Sequence, residues 1–251
     1  MQDIYIDDTG KGFPLVLVHG FLGSSKIWKP QINFFKDYFR VIAPDLPGFG
    51  RSNKAEPLNN IKSIAKLLLR ILNKKKIDKF HLLGHSMGGM IAQEMARIDG
   101  DKINKLICYS TGPLGEMPGR FETVDKSREN LKKNGLEITT KNIVKTWFTK
   151  GESAKYFDLC IESSNQTSLE TADKALCAFK NWNGKKALRY IKNKTLIIYG
   201  DQDKSYNISQ INILKNNILN SSLYIFKDCA HNVHLEKENE FNNKVYEFLK
   251  N

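Results

Sequence analysis

The short run 80–83 stops at Gly84-His85-Ser86-Met87-Gly88-Gly89, and a helix-like stretch, 87–98, follows at once. No other feature constrains the fold of this chain as tightly. A G-x-S-x-G pattern at a strand-to-helix junction places a serine on a bend so sharp that its own backbone is strained. Small residues at Gly84 and Gly88 let strand and helix approach closely. The helix N-terminus then points its free N–H groups toward the serine hydroxyl, where an oxyanion can be stabilised. The pattern alone is common by chance; its meaning comes from the strand before it and the helix after it.

The rest of the chain repeats that rhythm. Residues 4–6 read as an edge strand, followed by a turn through Asp8-Thr9-Gly10. Runs 15–18, 40–43 and 105–109 read as strands. Stretch 58–72 carries Ile61, Ile64, Ala65, Leu68, Leu69 and Leu72 at helical spacing. From about 112 to 189 the strand signals vanish. Pro113, Gly115, Pro118 and Gly119 break the chain, and helices are expected near 125–133, 140–149 and 169–179. Alternation then resumes with a strand at 195–199, a helix at 209–219, a strand at 222–226 and a closing helix at 238–249. Short apolar runs alternating with amphipathic stretches imply an α/β fold, a mostly parallel central sheet flanked by helices. The silent segment is too long for an ordinary connection. The expected organisation is therefore a core of 1–111 and 190–251, interrupted by a helical cap at 112–189.

Composition removes other classes. The 251 residues suffice for one α/β domain with an insertion. The formal net charge is +12, but the basic residues are scattered, with Lys74-Lys75-Lys76 the longest run. No stripe of interleaved aromatic and basic residues appears, so the charge reads as a solvated surface and no nucleic-acid partner is expected. Cys108, Cys160, Cys177 and Cys229 form no C-x-x-C pair and no metal-ligand spacing. Met1-Gln2-Asp3-Ile4 lacks the basic and apolar regions of a signal peptide. No apolar run approaches the roughly 20 residues of a membrane span. The expectation is a cytoplasmic protein with reduced thiols, no membrane association and no metal or organic cofactor, acting on a small molecule as a monomer or homodimer.

A serine nucleophile needs oxyanion donors, a base, and an acid to orient the base. His19-Gly20-Phe21-Leu22-Gly23 follows the 15–18 strand directly, which assigns the backbone N–H groups of Phe21 and Met87 as the donors. For His19 a structural role is preferred. Among the other histidines, His81 lies near a strand start and His85 points away on the bend. His231 follows the 222–226 strand in a short loop, at the end of the sheet where open α/β sites form. His231 is preferred to His234, which is expected to pack or bond locally. The acid should follow the preceding strand, at Gly200-Asp201-Gln202-Asp203. Asp203 and Asp201 compete, with Asp228 a remoter third; Asp203 is placed deeper in the turn, whereas Asp201 suits a turn former.

On these motifs, together with Asp45-Leu46-Pro47-Gly48-Phe49-Gly50-Arg51-Ser52 and His231 followed by His234-Leu235-Glu236, the chain resembles the α/β-hydrolase family. The likeness is to its capped branch of small esterases, enol-lactonases, carbon–carbon bond hydrolases and cofactor-free haloperoxidases. It implies a triad of Ser86, Asp203 and His231 and a mainly structural Asp45–Ser52 loop. Ala230 departs from the family's usual glycine, and its Cβ is expected to shift the histidine loop slightly. Relatives that open epoxides or remove halides carry aspartate at the bend, so the serine argues against both.

The 112–189 segment carries Met117, Phe121, Trp147, Phe148, Tyr156, Phe157, Phe179 and Trp182. Single aromatics are usually core, but as a group some should roof a pocket, with Trp147, Phe148 and Trp182 chosen as substrate contacts. Arg120, Arg128 and Arg189 could bind a substrate carboxylate, but surface placement is expected. The expected function is cleavage of carboxylic esters of small, fairly apolar substrates through an acyl-enzyme. The same triad could instead cleave a carbon–carbon bond or an enol-lactone, a reading that an arginine in the pocket would raise. A non-catalytic ligand-binding relative is the third alternative.

Overall fold

The computed structural model describes residues 3–115 and 118–251. Its seven strands are β1 (Ile6–Thr9), β2 (Pro14–Val18), β3 (Arg40–Pro44), β4 (Phe80–His85), β5 (Ile103–Tyr109), β6 (Lys194–Gly200) and β7 (Ser221–Phe226). They form one sheet in the order β1-β3-β2-β4-β5-β6-β7. β1 pairs antiparallel with β3, and every other pairing is parallel. From β2 the chain first steps to β3 on one side and then crosses to β4 on the other. This reversal opens a crevice at the carboxyl ends of β2 and β4, where a ligand site belongs in such a sheet.

The helices are α1 (Lys29–Phe35), α2 (Ile61–Lys74), α3 (Met87–Asp99), α4 (Val124–Lys145), α5 (Phe157–Ser164), α6 (Leu169–Lys180), α7 (Ile208–Asn217), α8 (Val233–Glu236) and α9 (Glu238–Lys250). α2 shows how sequence sets an element. Asn60 caps it by accepting the Ser63 N–H at 3.1 Å, and Ile61, Ile64, Ala65, Leu68 and Leu72 form its buried stripe. β4 is buried along its whole length, as a central parallel strand covered on both faces must be. None of the described helices is long and apolar enough to cross a membrane.

The structure moves some expected boundaries. The edge strand begins at Ile6 and takes in Asp8 and Thr9, which had read as a turn. Arg40 grips Asp8 with two 2.8 Å hydrogen bonds, so the charge is tolerated within an edge ladder. α1 gave no clear signal; it opens on a proline and buries Gln31, Ile32 and Phe35. The helices expected at 125–133 and 140–149 are joined in α4 across Gly135, whose φ of 76° and ψ of 175° break the helix. α4 ends at Lys145, so Trp147 and Phe148 lie beyond it. α5 lies in the same segment and was not expected. Among the described residues, the segment between β5 and β6 contains helices and one isolated bridge, Leu114 to Asn183, but no strand of the sheet. Met117 lies outside the described residues.

Candidate active site

Ser86 caps the start of α3 with φ 56° and ψ −120°, a region that an L-residue with a side chain rarely adopts. The surroundings over-determine this conformation. Its N–H donates to the Tyr109 carbonyl at 2.9 Å, and its own carbonyl accepts the Thr111 hydroxyl at 2.8 Å and the Gly89 N–H at 2.9 Å. Gly88 is needed because a Cβ there would collide with the Val18 carbonyl of β2. At Gly20 a Cβ would come within 2.9 Å of the Ser86 Cβ. The loop after β2 thus lies directly against the serine.

Of the three candidate acids, Asp203 meets the histidine. Its Oδ2 lies 2.8 Å from His231 Nδ1, while Oδ1 accepts the N–H groups of Ser205 at 2.7 Å and Tyr206 at 3.2 Å. A carboxylate fixed at both oxygens holds the imidazole in one tautomer, with the proton on Nδ1 and Nε2 free to accept. Asp201 instead accepts the Cys229 N–H at 3.4 Å, and Asp228 faces Gln202 at 3.4 Å. Both are turn residues. Ala230 does not displace the loop. Its N–H donates to Glu236 Oε2 at 2.7 Å, and the same carboxylate's Oε1 accepts the Thr149 N–H and hydroxyl, each at 2.7 Å.

Tyr109, at the end of β5, was not foreseen as a site residue. Its carbonyl holds Ser86, and its buried hydroxyl donates to the His231 carbonyl at 2.9 Å. The same hydroxyl accepts the His234 N–H at 3.1 Å and lies 2.9 Å from His234 Nδ1. One residue therefore braces both the serine bend and the histidine loop. β5 also pairs with β4 so that His85 and Tyr109 stand opposite each other, and their rings stack with centroids 4.5 Å apart.

The remaining histidines are structural. His19 Nε2 accepts the Leu46 N–H at 2.9 Å, which puts the ring proton on Nδ1, 2.8 Å from the Gly20 carbonyl. Burial lowers its pKa, and His85 is held well below the usual value by burial and by its neighbours His231 and His234. His234 is pushed down to about 3, first by burial and then by His231. Asp45 accepts the N–H groups of Ser25 at 2.6 Å and Arg51 at 2.7 Å, consistent with a structural loop.

Ser86 and His231 line one small cavity with Phe21. Met87 is the first residue of α3, so its N–H has no intrahelical acceptor. Ile143, Trp147, Leu176 and Phe179 supply apolar wall from the helical segment. The Trp147 ring centroid is 6.1 Å from that of His231. The free volume is about 20 Å³, room for roughly one water. Two expected substrate contacts need correction, because Phe148 and Trp182 do not line this cavity. Both are core side chains, and Trp182 Nε1 donates to Glu94 on α3 at 3.1 Å.

The arginines divide as well. Arg128 pairs with Asp173 at 2.7 and 3.0 Å, and Arg189 packs over Tyr190 at the surface. Arg120, expected at the surface, lines the cavity, beside Ser205 and Tyr206. The Tyr206 ring lies nearly parallel to that of His231, 5.8 Å away. A larger groove of about 480 Å³, bordered by Lys26, Lys29, Arg51 and Glu162, contains none of the cavity residues. Among the described residues no cluster of histidine, cysteine and carboxylate side chains could hold a metal.

Comparison with known proteins agrees with this architecture. A pimeloyl-[acyl-carrier protein] methyl ester esterase of Legionella pneumophila (strain Corby) is 30% identical, covering 99% of this chain and 100% of its own. A 2-hydroxy-6-oxononadienedioate/2-hydroxy-6-oxononatrienedioate hydrolase of Pseudomonas putida is 27% identical, covering 98% of this chain and 92% of its own. The solved structure of an esterase from Exiguobacterium antarcticum superposes with a TM-score of 0.92 at 23% identity, covering 99% of this chain and 96% of that one. A sequence model of the alpha/beta hydrolase fold matches residues 14–238, and the chain belongs to that family.

Proposed function

We propose that the protein is a serine hydrolase that cleaves carboxylic esters of small, fairly apolar substrates through an acyl-enzyme on Ser86. The observation that carries this reading is His231, 2.8 Å from Asp203, sharing a cavity with a serine held at φ 56°. His231 Nε2 takes the Ser86 proton as Oγ attacks the acyl carbon, and Asp203 stabilises the imidazolium that forms. The carbonyl oxygen becomes an oxyanion, which the Phe21 and Met87 N–H groups receive; each such donor is typically worth about 2.7–4 kcal/mol of barrier. His231 then passes its proton to the leaving alkoxide. Water, activated by the same imidazole, attacks the acyl-enzyme, releases the acid and restores Ser86. Helical segment 112–189 acts as a cap over the cavity. With room for about one water, it must shift to admit an ester.

The relative that cleaves a pimeloyl methyl ester supports the ester reading. Arg120 in the cavity favours a second reading, cleavage of a carbon–carbon bond or enol-lactone in an acidic substrate by the same triad. The relative named for a dioate fits that chemistry. Hydrolysis of p-nitrophenyl esters of rising acyl length, by the wild type and by Ser86→Ala, tests the proposal. Activity that is lost in Ser86→Ala is the expected result. An inactive wild type whose Ser86 still reacts with a fluorophosphonate would move the assignment to the second reading. Failure to label would remove both.

A further inference from the structure

We propose that Arg120 and Tyr206 form an anion-binding subsite beside Ser86, and that the substrate carries a carboxylate a short distance from the bond that is cut. The proposal deepens the serine-hydrolase reading and, for its chemistry, rests on it.

Two independent observations point to a missing acceptor. The first is the state of Arg120. Its Nη1 donates to the Glu122 carbonyl at 2.6 Å and to the Ser127 hydroxyl at 3.0 Å, both neutral acceptors. Glu122 directs its carboxylate elsewhere: Oε1 accepts from Ser127 Oγ at 2.5 Å and Oε2 from Asn130 Nδ2 at 2.9 Å. Among the described residues no carboxylate lies within 4.0 Å of the guanidinium. Arg120 is half-buried; Glu122 lies near enough to favour its charged form, but burial outweighs that and lowers its pKa, so the guanidinium is short of direct charged partners among the described residues. One edge of the guanidinium is held in place, and the side chain borders the cavity that contains Ser86 and His231.

The second is the Tyr206 hydroxyl. Tyr206 is 2% exposed, and its hydroxyl has no hydrogen-bond partner. It faces Ser86 and Thr111 without closing a well-formed bond to either. The residue is rigidly placed, with its N–H on Asp203 and its ring along His231. A buried donor left without an acceptor is destabilising.

Both groups are donors, and one is charged. A neutral ester oxygen could accept from either group, but it brings no charge to balance the guanidinium. A carboxylate satisfies both, and Arg presents it with a planar fork. Because these donors line the same cavity as the serine, the spacer between carboxylate and reacting carbonyl is short. The chemical class is a half-ester of a short dicarboxylic acid, or an oxo-acid of similar length. Ile143, Leu176 and Phe179 remain to pack its apolar part.

The test has a binding arm and a kinetic arm, on the full chain. Binding of succinate and glutarate, with neutral succinamide as control, is measured by calorimetry for wild type, Arg120→Gln, Tyr206→Phe and Arg128→Gln. The ratio of kcat/KM for monomethyl over dimethyl glutarate is measured on the same four proteins. The expected result is dicarboxylate binding by the wild type and a ratio above one. A charge-assisted hydrogen bond of this kind corresponds to roughly a 10–100-fold fall in that ratio for Arg120→Gln, and roughly a 3–10-fold fall for Tyr206→Phe. Arg128→Gln, a surface variant, keeps both properties. If Arg120→Gln fails to fold, the fall expected for Tyr206→Phe carries the test, with a smaller fall for Arg120→Lys, which keeps the charge and loses the fork. A wild type that cleaves both esters equally and binds no dicarboxylate overturns the subsite while leaving the esterase reading intact. So does an unchanged ratio in Arg120→Gln. Neither ester being cleaved, with glutarate shielding Ser86 from a fluorophosphonate in the wild type but not in Arg120→Gln, removes the ester reading and upholds the subsite.

Discussion

Replacing Ser86 by glycine and by alanine separates backbone strain from chemistry. At φ 56° and ψ −120° the Cβ of residue 86 crowds its own backbone, and a residue held in so sparse a region costs about 1–3 kcal/mol. Ser86→Ala keeps the Cβ and therefore the strain. Ser86→Gly removes it, against an entropic cost of about 0.5–1 kcal/mol for freeing the unfolded chain. The glycine variant should accordingly be more stable than the alanine variant by about 0.5–2 kcal/mol. For a chain of this size that is a Tm gap of roughly 1–8 °C. At an ordinary helical or extended position the order is the reverse, so the sign alone is diagnostic. Both variants should lose ester hydrolysis. Calorimetric melting, with urea titration as a second measure, reads the gap. An alanine variant as stable as the glycine variant would refute the idea that the neighbouring hydrogen bonds hold Ser86 against strain.

Tyr109→Phe should damage the site at one remove. It strips the hydroxyl partner from the His231 carbonyl and the His234 N–H, and buried groups left unpaired cost about 1–3 kcal/mol each. Melting should fall by roughly 4–24 °C, and kcat should fall while Ser86 stays reactive toward a fluorophosphonate; an unchanged melt would show that the brace is slack. Acid should also weaken the fold in a defined window. His81, held down to about 4 by burial and then by Lys105, and His234, at about 3, are neutral in the folded state when the unfolded chain already binds protons below its ordinary 6.5. Stability is therefore full above pH 6.5 and declines as pH falls toward the folded values, by about 1.4 kcal/mol per unit for each histidine fully engaged. Urea titrations from pH 7 to 4.5 should show His81→Gln with a shallower decline than the wild type, and parallel slopes would remove His81 from the account.

The parts of the fold that were legible in the sequence are those where a local pattern has one structural solution. Phe80 to Gly88 is such a case, because a buried strand that runs through G-x-S-x-G into a helix leaves the serine no other place to go. The spacing of Ile61, Ile64, Ala65, Leu68 and Leu72 is another, since only a helix puts them on one face. His231 and Asp203 were readable for a related reason. Each follows a strand of a parallel sheet, and adjacent parallel strands bring their carboxyl ends together. β6 and β7 do pair in this way, and the two side chains meet at 2.8 Å.

What stayed hidden depends on docking between segments distant in sequence. Arg120 sits in an irregular stretch with no period, and nothing local distinguishes it from Arg128, whose partner Asp173 lies on α6. Trp147 and Trp182 are alike in composition and in segment, yet one borders the cavity and the other is tied to Glu94 on α3. Which of them faces the serine is decided by how the helices of 112–189 settle on the sheet, and Gly135, where α4 breaks, is part of that placement. Tyr206 is the sharpest instance. It follows the acid by three positions, so the turn that brings Asp203 to His231 also swings Tyr206 over the same ring. Its hydroxyl faces Ser86 only because β4 and β6 flank β5, a tertiary fact that no window of sequence contains. The geometry that brings Asp203 to His231 beside Ser86 is therefore written in the strands, whereas the groups proposed to choose a substrate lie on the loops and helices packed above them.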